Sequence, residues 1–305
     1  MRNHDCVEGS CIYCALQDIF REFKESDENT LNPDMLRLTL ACSFQDQDKF
    51  QLGQLDDAAE CYEKILSRIH FHLSGGASDD FCSLGHCITH VKFAMSLIQQ
   101  TLCQCSATSE PLPYVQLVDY VSTLSIMSAI ECSKMMKTND FSELLRYAFN
   151  YEMSSTCPLK CGLKSRTVRT LVNCPDVVSI GLIWNSDQPD PDHIREFVST
   201  IGEHVTLHKV CFNTTESSVR ELVGVVCYYF KHYSTFFKRS KDGRWISFDD
   251  ASVSEIGDTW DKVIDKCCKG KYQPLLLIYQ NKQAELINTK TAPKKTSFIV
   301  KCMCV

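Results

Sequence analysis

No run of about 18 apolar residues occurs in the chain, so nothing in it reads as a helix long enough to cross a bilayer. The opening MRNHDCVEGS has no apolar core, and it does not read as a secretory signal. Basic residues are not in surplus: 32 Lys and Arg stand against 38 Asp and Glu, for a net charge of −6. A surface that tracks phosphates needs the opposite balance, so nucleic acid is not an expected partner. No internal repeat and no low-complexity block is present. Hydrophobic residues at 44% and charged residues at 23% are ordinary for a globular domain.

Cysteine is the exception to this plainness, with 19 in 305 residues. Without a secretion signal a disulfide framework is not expected, and a cytoplasmic location is. Buried thiols serve as small hydrophobes, while a reactive thiol or a metal ligand must be argued from spacing.

The first quarter has helical rhythm. Ile12, Leu16, Ile19, Phe20 and Phe23 share one face of a helix over 11–25. Asn32-Pro33 reads as a cap and first-turn proline opening a short helix through Leu36 and Leu40. Ala58, Cys61, Tyr62, Ile65, Leu66 and Ile69 predict a third helix, stopped before Gly75-Gly76. The rhythm then alternates. Val91, Phe93, Met95 and Leu97 suggest one strand, and Val115, Leu117, Asp119 and Val121 another. VVSIGLIW over 177–184 reads as a buried strand, and Asp190-Pro191-Asp192 opens a helix through Ile194 and Phe197. From Leu222 the chain is strand-rich: LVGVVCYY, YSTFFK, RWISF and PLLLIY. The polar tail from about Asn288 reads as loose. Helices followed by a mainly antiparallel sheet make the fold class α+β.

KHYSTFFKRSKDGRWISFDD is a predicted hairpin with His232 near its start and Asp249 near its end. A loop over 239–243 puts Asp249 opposite Tyr233. Cross-strand neighbours lie close enough for a carboxylate to hold an imidazole. Such a pair can take a proton from a thiol, the carboxylate fixing the tautomer. A His and an Asp on paired strands are, however, commonly a surface hydrogen bond.

Two cysteine pairs have ligand character. Cys103-Gln104-Cys105 ends a predicted strand, and Cys157-Pro158-Leu159-Lys160-Cys161-Gly162 looks like a knuckle turn. A structural zinc takes four such ligands from two turns, although the usual spacing has two residues between cysteines. Burial as four thiols is the alternative. Cys82, His86, Cys87 and His90 form a further group of ligand types, as do His4, Cys6, Cys11 and Cys14.

The hairpin resembles the histidine box of the ubiquitin-specific proteases, papain-like cysteine deubiquitinases of peptidase family C19. His232-Tyr233, Trp245, Phe248, Asp249 and Asp250 carry the match. Asp57-Ala58-Ala59-Glu60 is similar to the start of a family helix, and Pro175 with the strand after it to another block. The runs FQLGQLDDAAECYEKIL, HFHL, KFAMSLI and CYYFKHYSTFF are most similar to the subfamily numbered fifty-three and fifty-four in vertebrates, commonly catalogued as inactive. The resemblance implies a thumb (about 1–75), fingers (about 90–175) and palm (about 176–285), with a loose tail over 286–305. It implies His232 as general base, Asp249 as its orienter and Asp250 as an accessory polar group. It also implies a structural zinc on Cys103, Cys105, Cys157 and Cys161, and ubiquitin, polyubiquitin or scaffold proteins as partners. The chain departs from the family in several places. Lys231 stands where glycine precedes the histidine, and Ile183-Trp184 where Lys-Arg is common. The Asn-x-x-x-x-Cys box that would supply the nucleophile is not found, and the chain is therefore expected to be inactive. Cys11 fits the helix-start placement of a substitute, but no Asn or Gln precedes it at the family offset. An active hydrolase completed by an upstream segment and a zinc-stabilised interaction module are the competing expectations. A chain extended at its N-terminus is expected to be more stable than this one.

Overall fold

The computed structural model describes residues 11–28, 30–75, 81–136, 140–152, 156–186, 189–212, 218–250 and 252–287. The expected tail from Asn288 and the candidates His4 and Cys6 lie outside them. The chain divides into two compact units, one of Met1–Val91 with Leu286–Val305, the other of Lys92–Glu285.

The smaller unit is helical, and its helices fall where apolar periodicity predicts them: α1 (Ile12–Glu25), α2 (Asp34–Ser43) and α3 (Ala58–Leu73). The Asp57 carboxylate accepts from the Glu60 N–H and starts α3. Asn32 reaches the Asp34 N–H from one residue outside, so Pro33 is the cap residue and not the first helical one. Ile12, Leu40, Phe44 and Phe50 form this unit's core. Past α3 the chain makes a π-helical turn at Thr89–Phe93. The alternation of Val91 and Phe93 therefore does not mark the start of a strand.

The larger unit holds two sheets. The first is the antiparallel trio β2 (Leu112–Gln116), β1 (Met95–Cys103) and β4 (Ser165–Leu171), with β1 central. The second has eight strands. Its path is β10 (Ser252–Gly257), β9 (Trp245–Asp249), β8 (His232–Lys238), β7 (Val219–Tyr229), β11 (Gln273–Gln280), β5 (Val177–Ile183) and β3 (Asp119–Ser122), and β6 (His204–Thr206) also pairs with β7. All its pairings are antiparallel except β3 with β5. The single strand expected through Val115 and Val121 is thus two strands in different sheets. α4 (Thr123–Met136), α5 (Phe141–Glu152), α6 (Pro191–Val198), the single turn α7 (Leu207–Val210) and α8 (Trp260–Gly270) complete the unit. The core gathers α5, α6 and the large sheet around Leu145, Phe197, Leu222, Phe236, Trp245 and Tyr279. Helices with a mainly antiparallel sheet give the α+β class expected from the sequence.

A buried ion pair joins β4 to β3. Arg169 Nη2 lies 2.7 Å from Asp119 Oδ2, with side chains 4% and 5% exposed. Arg169 Nε donates to the Tyr114 hydroxyl at 3.0 Å, and the guanidinium lies 4.3 Å from the centre of the Phe149 ring. Burial disfavours the arginine's charge, but the Asp119 carboxylate outweighs it and keeps the group protonated.

Candidate functional site

β7 turns into β8 through Phe230 and Lys231, both with positive φ (44° and 63°), while Tyr229 pairs with His232 across the turn. Positive φ at both central residues is the type I′ signature, which suits the twist of a hairpin and favours Asn-Gly. The glycine common in the resembling family at position 231 therefore has a local reason. Lys231 takes that conformation with a Cβ, at a cost of roughly 1–2 kcal/mol. His232 is fixed as the first residue of β8.

β8 and β9 pair with Thr235 facing Phe248 and Lys238 facing Trp245. Continuing that register sets Asp249 level with Ser234, not with Tyr233. The connection is one residue longer than expected: Arg239 N–H donates to Arg244 O at 2.7 Å, and Gly243 takes φ 73° inside it. The one-residue difference decides the chemistry. Opposite Tyr233, the Asp249 side chain would project from the other face of the sheet to His232. Level with Ser234 it shares the face of His232, on the diagonal.

The two side chains meet. His232 Nε2 and Asp249 Oδ1 are 2.5 Å apart, and the Tyr229 hydroxyl donates to Asp249 Oδ2 at 2.8 Å. Each carboxylate oxygen therefore has its own donor. Although burial raises the Asp249 pKa, the hydrogen bonds from His232 and Tyr229 prevail and bring it below the usual range. An ionised carboxylate only accepts, so Nε2 carries a proton, and in the neutral imidazole the lone pair is on Nδ1. Tyr229 packs edge-on against His232 and Tyr272, at 5.3 and 4.3 Å between ring centres. The phenol is pushed up by burial and by the adjacent carboxylate, and stays neutral. Sequence reasoning did not pick out Tyr229; its place in CYY just before the hairpin was the available signal. Asp250 lies 3.8 Å from Nε2 with its side chain 84% exposed. Its φ of 49° marks it as a turn residue between β9 and β10, a conformation that Asp tolerates.

The larger unit offers no ionisable thiol on this hairpin among the described residues. Cys227, which pairs with Ser234 on β8, is fully buried. Burial and its neighbour Cys267 push its pKa far up, so it remains a thiol.

At the far end of β1 the four cysteines expected to hold metal converge. The sulfurs of Cys103, Cys105, Cys157 and Cys161 all lie within 4.8 Å of one another. Cys103 to Cys161 is 3.5 Å and Cys105 to Cys157 is 3.6 Å. Zinc–sulfur bonds of about 2.3 Å at tetrahedral angles give sulfur–sulfur edges of about 3.8 Å, so the set fits zinc. Both turns have knuckle geometry. Lys160 N–H donates to Cys157 O at 2.8 Å, with Lys160 and Gly162 at φ 51° and 78°. Backbone N–H groups of Cys161 and Leu159 point at the Cys157 sulfur, and that of Leu163 at the Cys161 sulfur. N–H groups aimed at sulfur favour thiolates. Without a cation the four cannot all ionise. Cys157 is brought down to about 6, first by the Cys161 N–H. Against the Cys105 N–H, burial and the neighbouring thiols push Cys103 up to about 12.

Three carboxylates of this unit sit below their ordinary pKa despite burial. Hydrogen bonds from His232 hold Asp249 there, Lys92 holds Asp176 and Lys209 holds Asp140. A depressed carboxylate stabilises the fold above its unfolded pKa, about 4, and that contribution is lost as pH falls through the folded value. The thermal midpoint is therefore expected to hold between pH 6 and 5 and to fall steeply below about pH 4. A flat profile down to pH 3 would contradict the assignment.

A strand hairpin carrying a tautomer-fixed histidine, on a sheet joined to a four-cysteine tip, defines a papain-like thiol-hydrolase fold of the ubiquitin-specific protease type. The chain belongs to the ubiquitin carboxyl-terminal hydrolase family, whose profile matches residues 1–284. It is similar to ubiquitin carboxyl-terminal hydrolase 54 of Rattus norvegicus, 43% identical over 302 residues, covering 96% of this chain and 19% of that protein. It is also similar to ubiquitin carboxyl-terminal hydrolase 53 of Homo sapiens, 39% identical over 303 residues, with 96% and 28% covered. The chain thus spans less than a third of the length of these relatives, 19% and 28%. Among solved structures, the SAGA deubiquitinating module Ubp8/Sgf11/Sus1/Sgf73 bound to ubiquitin aldehyde aligns with a TM-score of 0.58 at 17% identity, over 92% of this chain and 60% of that one. These matches bear out the resemblance read from the hairpin and the neighbouring blocks.

Proposed function

We propose that this chain is a ubiquitin-recognising domain of the deubiquitinase type that holds the base half of the catalytic site and, as this chain, does not turn substrate over. The observation that carries the reading is the His232–Asp249 pair at 2.5 Å, with Tyr229 on the second carboxylate oxygen. That arrangement occupies Nε2 and leaves Nδ1 to take a thiol's proton, the task a papain-like base performs. The inactivity rests on the missing cysteine box and on the buried, protonated state of Cys227. Ubiquitin or polyubiquitin is the expected partner, and scaffold proteins are further candidates. The solved relative carries both ubiquitin aldehyde and companion subunits. We further propose a structural zinc on Cys103, Cys105, Cys157 and Cys161, held to brace the tip of the three-stranded sheet. All described cysteines are free thiols, which supports a reducing, cytoplasmic setting.

Ubiquitin carrying a C-terminal propargylamide tests the inactive reading directly. The chain is expected to form no covalent adduct while a competent deubiquitinase is labelled in parallel. An adduct mapped to any cysteine here would overturn it and favour an active hydrolase, leaving ubiquitin recognition intact.

A further inference from the structure

The smaller unit carries a second group of metal-ligand side chains, and its membership differs from the sequence expectation. His86 does not join it: its Nε2 lies 3.2 Å from the Leu73 carbonyl at the end of α3. His70, twelve residues before Cys82 and on the last turns of α3, takes its place. Ligand atoms of His70, Cys82, Cys87 and His90 all lie within 4.8 Å of one another.

We infer that His70, Cys82, Cys87 and His90 form a second structural zinc site, independent of the four-cysteine tip. The geometry centres on Cys87, whose sulfur is 3.4 Å from His70 Nδ1 and 3.4 Å from His90 Nδ1. A tetrahedral zinc with bonds of about 2.3 Å to sulfur and 2.0–2.1 Å to nitrogen sets its nitrogen–sulfur edges at about 3.6 Å. The imidazoles of His70 and His90 meet edge to face, with centres 4.3 Å apart and planes at 68°. Two nitrogens from crossed rings and a sulfur thus face a common point, and Cys82 supplies the fourth donor.

The chemistry of the set also suits zinc. Two thiolates and two neutral imidazoles are borderline-soft donors, and they cancel the charge of a divalent cation. A neutral centre is the form that burial permits, and His70 and Cys87 are both buried. The surrounding chain is anchored independently of the ligands. The Thr89 hydroxyl donates to the Leu66 carbonyl at 2.9 Å, and His86 meets that of Leu73. Cys87 N–H closes a turn on Leu84 O, and Val91 N–H another on Cys87 O, both at 2.9 Å. The segment after α3 is therefore held against the helix with its ligands pre-placed, and the metal would cross-link the two.

Metal content of the whole 305-residue chain tests the site. Elemental analysis after gel filtration is expected to give two zinc ions per chain. The Cys105→Ser/Cys161→Ser variant is expected to keep one, with an X-ray absorption shell of two sulfurs and two nitrogens. The Cys82→Ser/His90→Ala variant is expected to keep one with a shell of four sulfurs. If that second variant does not fold, the first variant and the wild type decide. The inference is overturned by a tip variant without zinc, by a Cys82→Ser/His90→Ala variant retaining the wild-type stoichiometry, or by a wild type holding one ion with sulfur ligands only. Loss of the tip zinc alone would count against the proposal for Cys103, Cys105, Cys157 and Cys161 and leave this one standing.

Discussion

Replacing Cys157 with serine is expected to melt the tip of the three-stranded sheet while leaving the eight-stranded sheet folded. The tip consists of two knuckle turns, at Cys103–Cys105 and Cys157–Cys161, with little apolar material beneath them. Leu159 and Leu163 are 75% and 51% exposed. Hydrophobic burial cannot hold such turns, whereas the proposed zinc would. Structural zinc contributes about 10–16 kcal/mol to the folding of small zinc-finger peptides at neutral pH, far more than the local stability of two exposed turns. Serine removes one soft donor and leaves the other three thiols crowded without a cation. Hydrogen exchange is the appropriate readout. Amides at 103–109 and 157–165 are expected to lose protection by at least about a hundredfold, and those of Leu222–Cys227 to keep theirs. A chelator strong enough to strip the wild type should reproduce the pattern. Unchanged protection at the tip would remove the case for a structural metal there.

Replacing Asp119 with alanine is expected to cost about 3–5 kcal/mol of unfolding free energy. Arg169 then keeps its charge in a site that is 4% exposed, with the Tyr114 hydroxyl, the Gln116 Oε1 at 3.4 Å and the Phe149 face around it but, among the described residues, no anion. One of its nitrogens, Nη1, already lacks a hydrogen-bond partner. The position matters because Arg169 lies on β4 of the small sheet and Asp119 on β3 of the large one, so the pair ties the sheets together. A joint replacement, Arg169→Met with Asp119→Leu, removes both charges and is expected to recover most of the loss, since apolar groups can fill a buried ion-pair site. Urea unfolding of the two single variants and the double variant gives the coupling directly. Additive losses would show that the pair does not act as a unit.

How much of this was visible beforehand depended on whether the signal was local. The helices over 12–25 and 58–73 were legible because their apolar residues recur at 3.6-residue spacing and one face alone is buried. The strands from Leu222 onward were legible from β-branched and aromatic runs. α4 was not. Its sequence, TLSIMSAIECSKMM, is apolar around most of the helix, so no periodic face stands out. Alternation misled twice, for opposite reasons. It ran unbroken from Val115 to Val121 although the chain leaves one sheet and enters another between Gln116 and Asp119. It also began at Val91, where the backbone is still coiled. α8 carries the pattern in Trp260, Val263, Ile264 and Cys267, yet the strand-rich reading from Leu222 onward passes over it; its cysteines act as core.

The site divided along the same line. His232 and Asp249 could be placed on one hairpin, yet whether they share a face turned on one residue of loop length. The loop's hydrogen bonds set that, and composition does not encode it. The two cysteine pairs of the tip announced themselves as short-range turns. His70 could not, because its partnership with Cys82, Cys87 and His90 depends on the following segment folding back along α3.

The central claim is that this domain recognises ubiquitin, and a polarisation titration of fluorescent ubiquitin against the whole chain tests it most directly. The account predicts a saturable rise in polarisation that weakens by about tenfold, 1.4 kcal/mol, when the tip is disrupted by Cys157→Ser/Cys161→Ser. No saturable binding by the folded, zinc-loaded chain would contradict it.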